Sequence, residues 1–174
     1  MKHTLKVARQ IFPGNRHFQT CQGFTLIELM VVVAVMGILA SAAMPLGEMV
    51  VKREKEQALR TALRQIRTAI DTYKQAADEG RIEKKADETG YPRALEDLAT
   101  GMDDVRDPDK KKIFFMRRLP RDPMFPDIEV TAAETWGKRS YASPPDNPED
   151  GDDVYDVYSL SEKVGLNGIP YNQW

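Results

Sequence analysis

The sequence predicts an α+β chain in which one long N-terminal helix, apolar in its first half and amphipathic in its second, packs on a small antiparallel sheet. Three observations carry this. Residues 24–46 are almost wholly apolar, residues 47–79 repeat apolar side chains at helical spacing, and the remainder is proline-rich with short alternating stretches. Four parts follow: a basic leader at 1–23, an apolar helix at 24–46, its amphipathic continuation at 47–79 and a globular region at 80–174.

The formal net charge of -2 hides an uneven distribution. Lys2, Lys6, Arg9 and Arg16 stand in the first 23 residues without an acid, leaving 21 basic against 27 acidic residues in the remainder. A basic arm beside a long apolar run reads as a topology signal, so no nucleic-acid partner is expected. Cys21, His3 and His17 also lie in this leader. Once the leader is removed, disulfides, thiol nucleophiles, Cys/His zinc sites and histidine acid/base chemistry are all excluded. No paired carboxylates in a recognisable frame, phosphate loop or nucleophile elbow is seen, and a structural role rather than an enzymatic one is expected.

Phe24 to Leu46 reads FTLIELMVVVAVMGILASAAMPL, with Glu28 as its one charge. About 20 apolar residues span a bilayer as a helix. A buried core helix would show a polar face at helical spacing, which this run lacks. A cleaved secretory signal is the other reading, since Ser41-Ala42-Ala43 resembles a small-residue cleavage site. Against it, apolar residues continue through Met49, Val50 and Val51, beyond an ordinary signal core. The leader places the N-terminus on the cytoplasmic side. The asymmetry is modest, because Glu48, Glu54 and Glu56 lie among Lys52, Arg53 and Lys55 on the other flank. Glu28 by itself reads equally as a carboxylate reaching for the membrane edge or as one that needs a partner.

Gly23-Phe24-Thr25-Leu26-Ile27-Glu28-Leu29 closely resembles the processing site of the prepilins. The resemblance implies a pilin-like fold, cleavage between Gly23 and Phe24 by a prepilin peptidase, and N-methylation of Phe24. Glycine before the scissile bond lets a protease approach the backbone closely. The resemblance further implies that Glu28 of an adjacent subunit neutralises the new Phe24 amine and sets axial register. Gly37 and Pro45 fall where many pilins carry a glycine and a kinking proline. Pro45 lacks an N–H and is expected to bend or locally melt the helix. The expected assembly residues are therefore Phe24, Glu28, Gly37 and Pro45.

Beyond the apolar run, Val51, Ala58, Ala62, Ile66, Ala69, Ile70, Tyr73 and Ala77 form a stripe. Arg53, Glu56, Arg60, Arg64, Arg67, Asp71 and Lys74 fill the gaps, and Gly80 is the expected stop. Heptads do not persist, so the stripe reads as core rather than coiled coil. Further on, a short helix is expected at 93–100, ending at Gly101, and a charged loop at 102–112. Strands are expected at Arg139–Ser143 and Val154–Leu160, with a third at Ile128–Thr131. The acidic run 146–153 and Lys110-Lys111-Lys112 read as solvated surface; the acidic run does not fit an EF-hand, with Pro148 and Val157 at ligand positions.

The order Tyr91-Pro92, Leu119-Pro120-Arg121-Asp122-Pro123, Trp136-Gly137, Tyr155-Asp156-Val157-Tyr158-Ser159-Leu160 and Trp174 is similar to the major pseudopilins of type II secretion. Two departures stand out. Residues 124–135 intervene where the family runs from Asp-Pro directly into Trp-Gly. Lys163 also stands about where that family's calcium loop has a ligand aspartate, so the calcium site is not carried over; no cofactor is expected, with calcium the open alternative. The resemblance implies a periplasmic filament of identical subunits that helps export folded proteins. The partners it implies are prepilin peptidase, minor pseudopilins, an inner-membrane assembly platform with its secretion ATPase, and membrane lipid before assembly. A type IV pilin for adhesion, motility or DNA uptake shares the same N-terminus, and a single-span anchored binding module is the remaining alternative. Surface pilins often staple a C-terminal loop by a disulfide, which this chain without its leader cannot form.

Overall fold

The computed structural model of the chain describes residues 23–174, without the side chains of residues 42–46. The leader up to position 22 and the side chain of Pro45 thus lie outside the described residues. Helix α1 runs Leu26–Asp78, and its helical assignment continues through position 45. The chain divides into two compact units, one ending at Ala43 and the other running Met44–Trp174.

In the first unit Thr25 caps α1. Its hydroxyl accepts the Glu28 N–H at 3.3 Å and its carbonyl accepts the Leu29 N–H at 3.1 Å. Glu28 occupies the first turn, where the helix dipole favours an anion. Beyond it Met30, Val31, Val33, Met36, Ile38 and Leu39 are all exposed. Among the described residues no helix is long and apolar enough to cross a membrane.

In the second unit α1 turns Leu59, Leu63, Ile66, Ile70, Tyr73 and Ala77 inward, a stripe at three- and four-residue spacing. They join Leu95, Leu98, Trp136, Val154, Val157 and Tyr171 in one core. Burying each large aliphatic residue stabilises the unit by about 1.5–3 kcal/mol, which fixes this face inward. Val51 and Ala58, expected in the stripe, are exposed: inserting Leu59 buries more apolar surface than Ala58 would, and the helix rotates accordingly. Glu56, expected among the solvated charges, is buried. The helix stops where Gly80 takes φ 68°. The Gly80 N–H reaches the Ala77 carbonyl at 3.0 Å and the Arg81 N–H the Ala76 carbonyl at 2.9 Å, a glycine-terminated cap.

The expected helix at 93–100 shortens to α2, Asp97–Thr100. The Asp97 carboxylate accepts the Ala94 N–H at 3.0 Å and holds the preceding residues as turns. Gly101 takes φ 76°, and a Cβ there would lie 2.8 Å from the Phe114 ring and 2.9 Å from the Ile113 carbonyl. The expected loop at 102–112 is instead a hairpin of β1 (Met102–Asp103) and β2 (Lys112–Ile113). Arg81 anchors it, donating to Asp104 at 2.7 and 3.0 Å.

A second ladder pairs β3 (Trp136–Arg139) with β4 (Asp156–Ser159) antiparallel, Trp136 opposite Ser159 and Arg139 opposite Asp156. The sheet is thus two separate two-stranded ladders. Strand β3 begins three residues before the expected Arg139 and ends there, because Ser140 leaves the ladder to donate its N–H to the Glu149 carbonyl at 3.0 Å. Ile128–Thr131 forms no strand. Arg121 donates to the Asp127 carbonyl at 2.7 Å and to the Val130 carbonyl, which curls this segment back on itself.

Candidate functional site

Of the expected assembly residues, Phe24, Glu28 and Gly37 are exposed. Phe24 is 82% exposed, and Gly23 and Glu28 are exposed as well. Gly23 and Phe24 both stand ahead of the first helical residue, Leu26. A Cβ built at Gly37 would meet nothing within 4 Å, so nothing within the chain demands glycine there. Pro45 falls outside the described side chains.

The C-terminal motifs converge on one joint. The Trp136 indole N–H donates to the Pro120 carbonyl at 2.8 Å. The Asp122 carboxylate, 3% exposed, accepts the Ser159 hydroxyl at 2.5 Å and the Met124 N–H at 2.7 Å. The Thr135 hydroxyl accepts the Asp122 N–H at 3.1 Å. Burial pushes the Asp122 carboxyl above its usual range, although its two donors pull the other way. Residues 124–135 therefore leave the joint and return to it.

The loop after Ser159 is held by protein groups. Glu56 Oε1 accepts the Leu166 N–H at 2.7 Å and the Tyr171 hydroxyl at 2.9 Å. The Lys52 ammonium donates to the Val164 carbonyl at 2.9 Å. Burial, with the bond to Glu56 adding to it, pushes the Tyr171 hydroxyl up to about 12. Sequence reasoning missed Glu56 and Lys52, since nothing local sets them apart from their charged neighbours. The loop does not fit a calcium ion. Its Lys163, Gly165 and Ile169 carbonyls accept the N–H groups of Tyr171, Gly168 and Gly165, and the Val164 carbonyl faces an ammonium. Hard cations need convergent free oxygens, and among the described residues no cluster of three acidic, His or Cys side chains is placed to hold a metal.

The acidic run 146–153 is mostly exposed, as expected, but Asp153 is buried. It accepts the Tyr141 N–H at 2.8 Å and the Thr89 hydroxyl. Within the lysine run, Lys111 lies 3.3 Å from Asp109, while Lys112 is drawn into β2.

Residues 19–44 match the prokaryotic N-terminal methylation motif. The type II secretion system core protein G of Vibrio cholerae is 32% identical over 112 residues, 62% of this chain and 68% of that protein. The chain belongs to the core protein G family. The core protein G of Klebsiella michiganensis is 28% identical over 152 residues, 83% of this chain and 98% of the relative. The core protein G likeness thus extends well past the N-terminal motif into the globular region. Type IV major fimbrial protein FimA of Dichelobacter nodosus is 43% identical over 60 residues, but that is 34% of this chain and 38% of the fimbrial protein. No solved structure matches. Membership accounts for the prepilin-like N-terminus and gives the chain a pseudopilin role.

Proposed function

We propose that the chain is a non-enzymatic pseudopilin subunit, cut between Gly23 and Phe24 by prepilin peptidase, N-methylated at Phe24, and assembled into a periplasmic type II secretion filament. The observation that carries this reading is the apolar surface from Leu26 to Leu39, exposed on its many large side chains and holding Glu28 as its one charge. Uncovered apolar surface of this extent marks a membrane or a protein partner. Both are required here: lipid of the inner membrane before assembly, with the N-terminus cytoplasmic and the globular region periplasmic, and identical helices afterwards. An inner-membrane platform with its ATPase supplies the extraction work, and minor pseudopilins join the same assembly. The Glu28 carboxylate neutralises the Phe24 amine of a neighbouring copy, which sets register. Gly37 and Pro45 serve the same packing, one by close approach and the other by bending the helix. The reading has no resident metal in the loop after Ser159, which is supported by the N–H groups and the Lys52 ammonium that its carbonyl oxygens already face.

Intact mass of the membrane-extracted protein, with and without prepilin peptidase, tests the reading. A chain beginning at N-methylated Phe24 only when the peptidase is present is expected. An uncut chain, or one starting after residue 40, would overturn it.

A further inference from the structure

The N-terminal half of the amphipathic segment carries far more positive charge than its own fold uses. Lys52, Arg53, Lys55, Arg60, Arg64 and Arg67 stand there against Glu48, Glu54 and the buried Glu56. Arg60, Arg64 and Arg67 line one groove of about 760 Å³, whose other wall includes Asn167, Ile169 and Trp174. The Arg60 guanidinium lies 4.4 Å from the Trp174 ring centre, which holds it at the groove wall. Arg67 is tied to Asp156 at 2.7 Å and to the Trp174 carbonyl at 2.8 Å. Arg60 and Arg64 are exposed, and among the described residues neither has a carboxylate within ion-pair distance. Like charges four residues apart on a helix repel, so the row calls for an anion from outside the chain.

The same unit displays the matching charge elsewhere. Asp146, Glu149, Asp150 and Asp152 are exposed, and of these only Asp150 is near a cation among the described residues, Lys138 at 3.5 Å. Their loop is framed: Ser140 N–H bonds the Glu149 carbonyl, the Ser143 hydroxyl accepts the Glu149 N–H at 2.9 Å, and buried Asp153 closes its end. Tyr141 beside this loop stacks on Tyr91 at 5.7 Å, and Tyr91 sits 5.6 Å from the Lys74 ammonium. The acidic loop therefore belongs to the later end of α1. From Arg64 to Lys74 is ten residues, roughly 15 Å along the helix. Within one copy the two surfaces stand apart along the helix; a second copy displaced along the helix axis would bring them together.

We propose that the arginine groove of one copy receives the acidic 146–153 loop of a second copy. The two surfaces differ, so the contact is head-to-tail. Such a contact propagates into an open helical array unless its rotation closes a ring. The inference rests on the filament reading and adds the residues that join the globular regions.

The test uses the full chain in membranes with prepilin peptidase. Processing removes Cys21, so Arg64→Cys with Asp150→Cys supplies the only thiols of the mature chain. A short bis-maleimide is the probe, since an arginine–carboxylate contact holds the two backbones too far apart for a direct disulfide. The double variant is expected to give a ladder of covalent multimers, whereas each single variant stops at a dimer. Arg60→Glu with Arg64→Glu should cut the sedimenting polymer at least tenfold, and adding Asp150→Lys with Asp152→Lys should restore it. Circular dichroism of each variant checks that the fold is retained. Filaments that sediment normally without a ladder overturn the proposal and leave the filament reading standing. A ladder without sedimenting filaments overturns the filament reading and supports the contact. Neither ladder nor polymer overturns both, as does charge reversal without effect for the contact alone.

Discussion

Removing the Glu56 carboxylate should release the C-terminal loop from α1. Glu56 is 6% exposed, and its Oε1 alone accepts both the Leu166 N–H and the Tyr171 hydroxyl, at 2.7 and 2.9 Å. A hydrogen bond to a charged group contributes about 1.5–3 kcal/mol net. Leu166 is exposed and its amide regains water after truncation, so its bond counts for about 1 kcal/mol. Tyr171 is 2% exposed and its hydroxyl stays dry, so its bond takes the upper end of the range. Glu56→Ala is therefore expected to cost about 3–4 kcal/mol, and Glu56→Gln, which keeps an acceptor oxygen, about 1–2 kcal/mol. Urea unfolding of the full chain in detergent, followed by Trp136 and Trp174 fluorescence, reads both. Tyr171→Phe removes one donor, and in that background Glu56→Ala should cost about 1–2 kcal/mol less. The pH dependence has a fixed sign. The fold keeps the Tyr171 hydroxyl neutral, so its contribution is complete below the unfolded value near 10. It is lost as pH rises through the folded value of about 12. A Glu56→Ala chain within about 0.5 kcal/mol of the native one, or no coupling to Tyr171→Phe, would refute the reasoning.

The joint around Asp122 yields a second expectation. Asp122→Ala strands the Ser159 hydroxyl and the Met124 N–H and should cost about 2–4 kcal/mol, against about 1 kcal/mol for Asp122→Asn, measured by the same unfolding assay. The raised Asp122 carboxyl favours the fold from below its unfolded value near 3.8 and loses that contribution as pH rises through its folded value; the Asn variant should lack this slope. At Gly137 an added Cβ would lie 2.4 Å from the Tyr158 ring, so Gly137→Ala should cost about 1–3 kcal/mol. Tyr158→Ala in the same chain should recover part of that loss. Calcium at millimolar excess, or its removal by a chelator, should leave the unfolding midpoint unchanged, whereas a bound ion would raise it.

Long-period features were legible in the sequence and short ones were not. The run from Phe24 and the stripe around Ile66, Ile70 and Tyr73 extend over many helical turns, so α1 and its glycine stop at Gly80 could be read locally. Strands of two and four residues are too short for alternation to show. Trp136-Gly137 looks unlike a strand because glycine weakens one, yet the Tyr158 ring leaves room for nothing larger. Met102 pairs with Ile113 and Asp103 with Lys112 in a hairpin that the Arg81–Asp104 pair fixes to the end of α1, far outside any local pattern. The methylation motif at residues 19–44 was legible through the spacing of Gly23, Phe24 and Glu28. Glu56 was missed because its partners lie 110 and 115 positions away, and no local pattern announces a buried carboxylate among solvated ones.

The globular region shows how a fold with so little sheet keeps a fixed shape. Its two ladders bring only a few residues together, so regular backbone pairing does little to fix the register of the surrounding loops. That task falls to single polar side chains that each bind two distant segments: Asp122 joins the 119–123 turn to β4, Asp153 joins residues 89 and 141, and Glu56 joins α1 to the last loop. Each is buried, so each is strong only while all its donors are present, since an unmet buried donor costs more than a met one contributes. The arrangement explains why residues 124–135 can be accommodated. Arg121 and the Thr131–Glu134 pair close the added segment on itself, and the Thr135 hydroxyl returns it to the Asp122 N–H. It also makes three carboxylates points of vulnerability beside the apolar core, which is where the Glu56 and Asp122 substitutions are aimed.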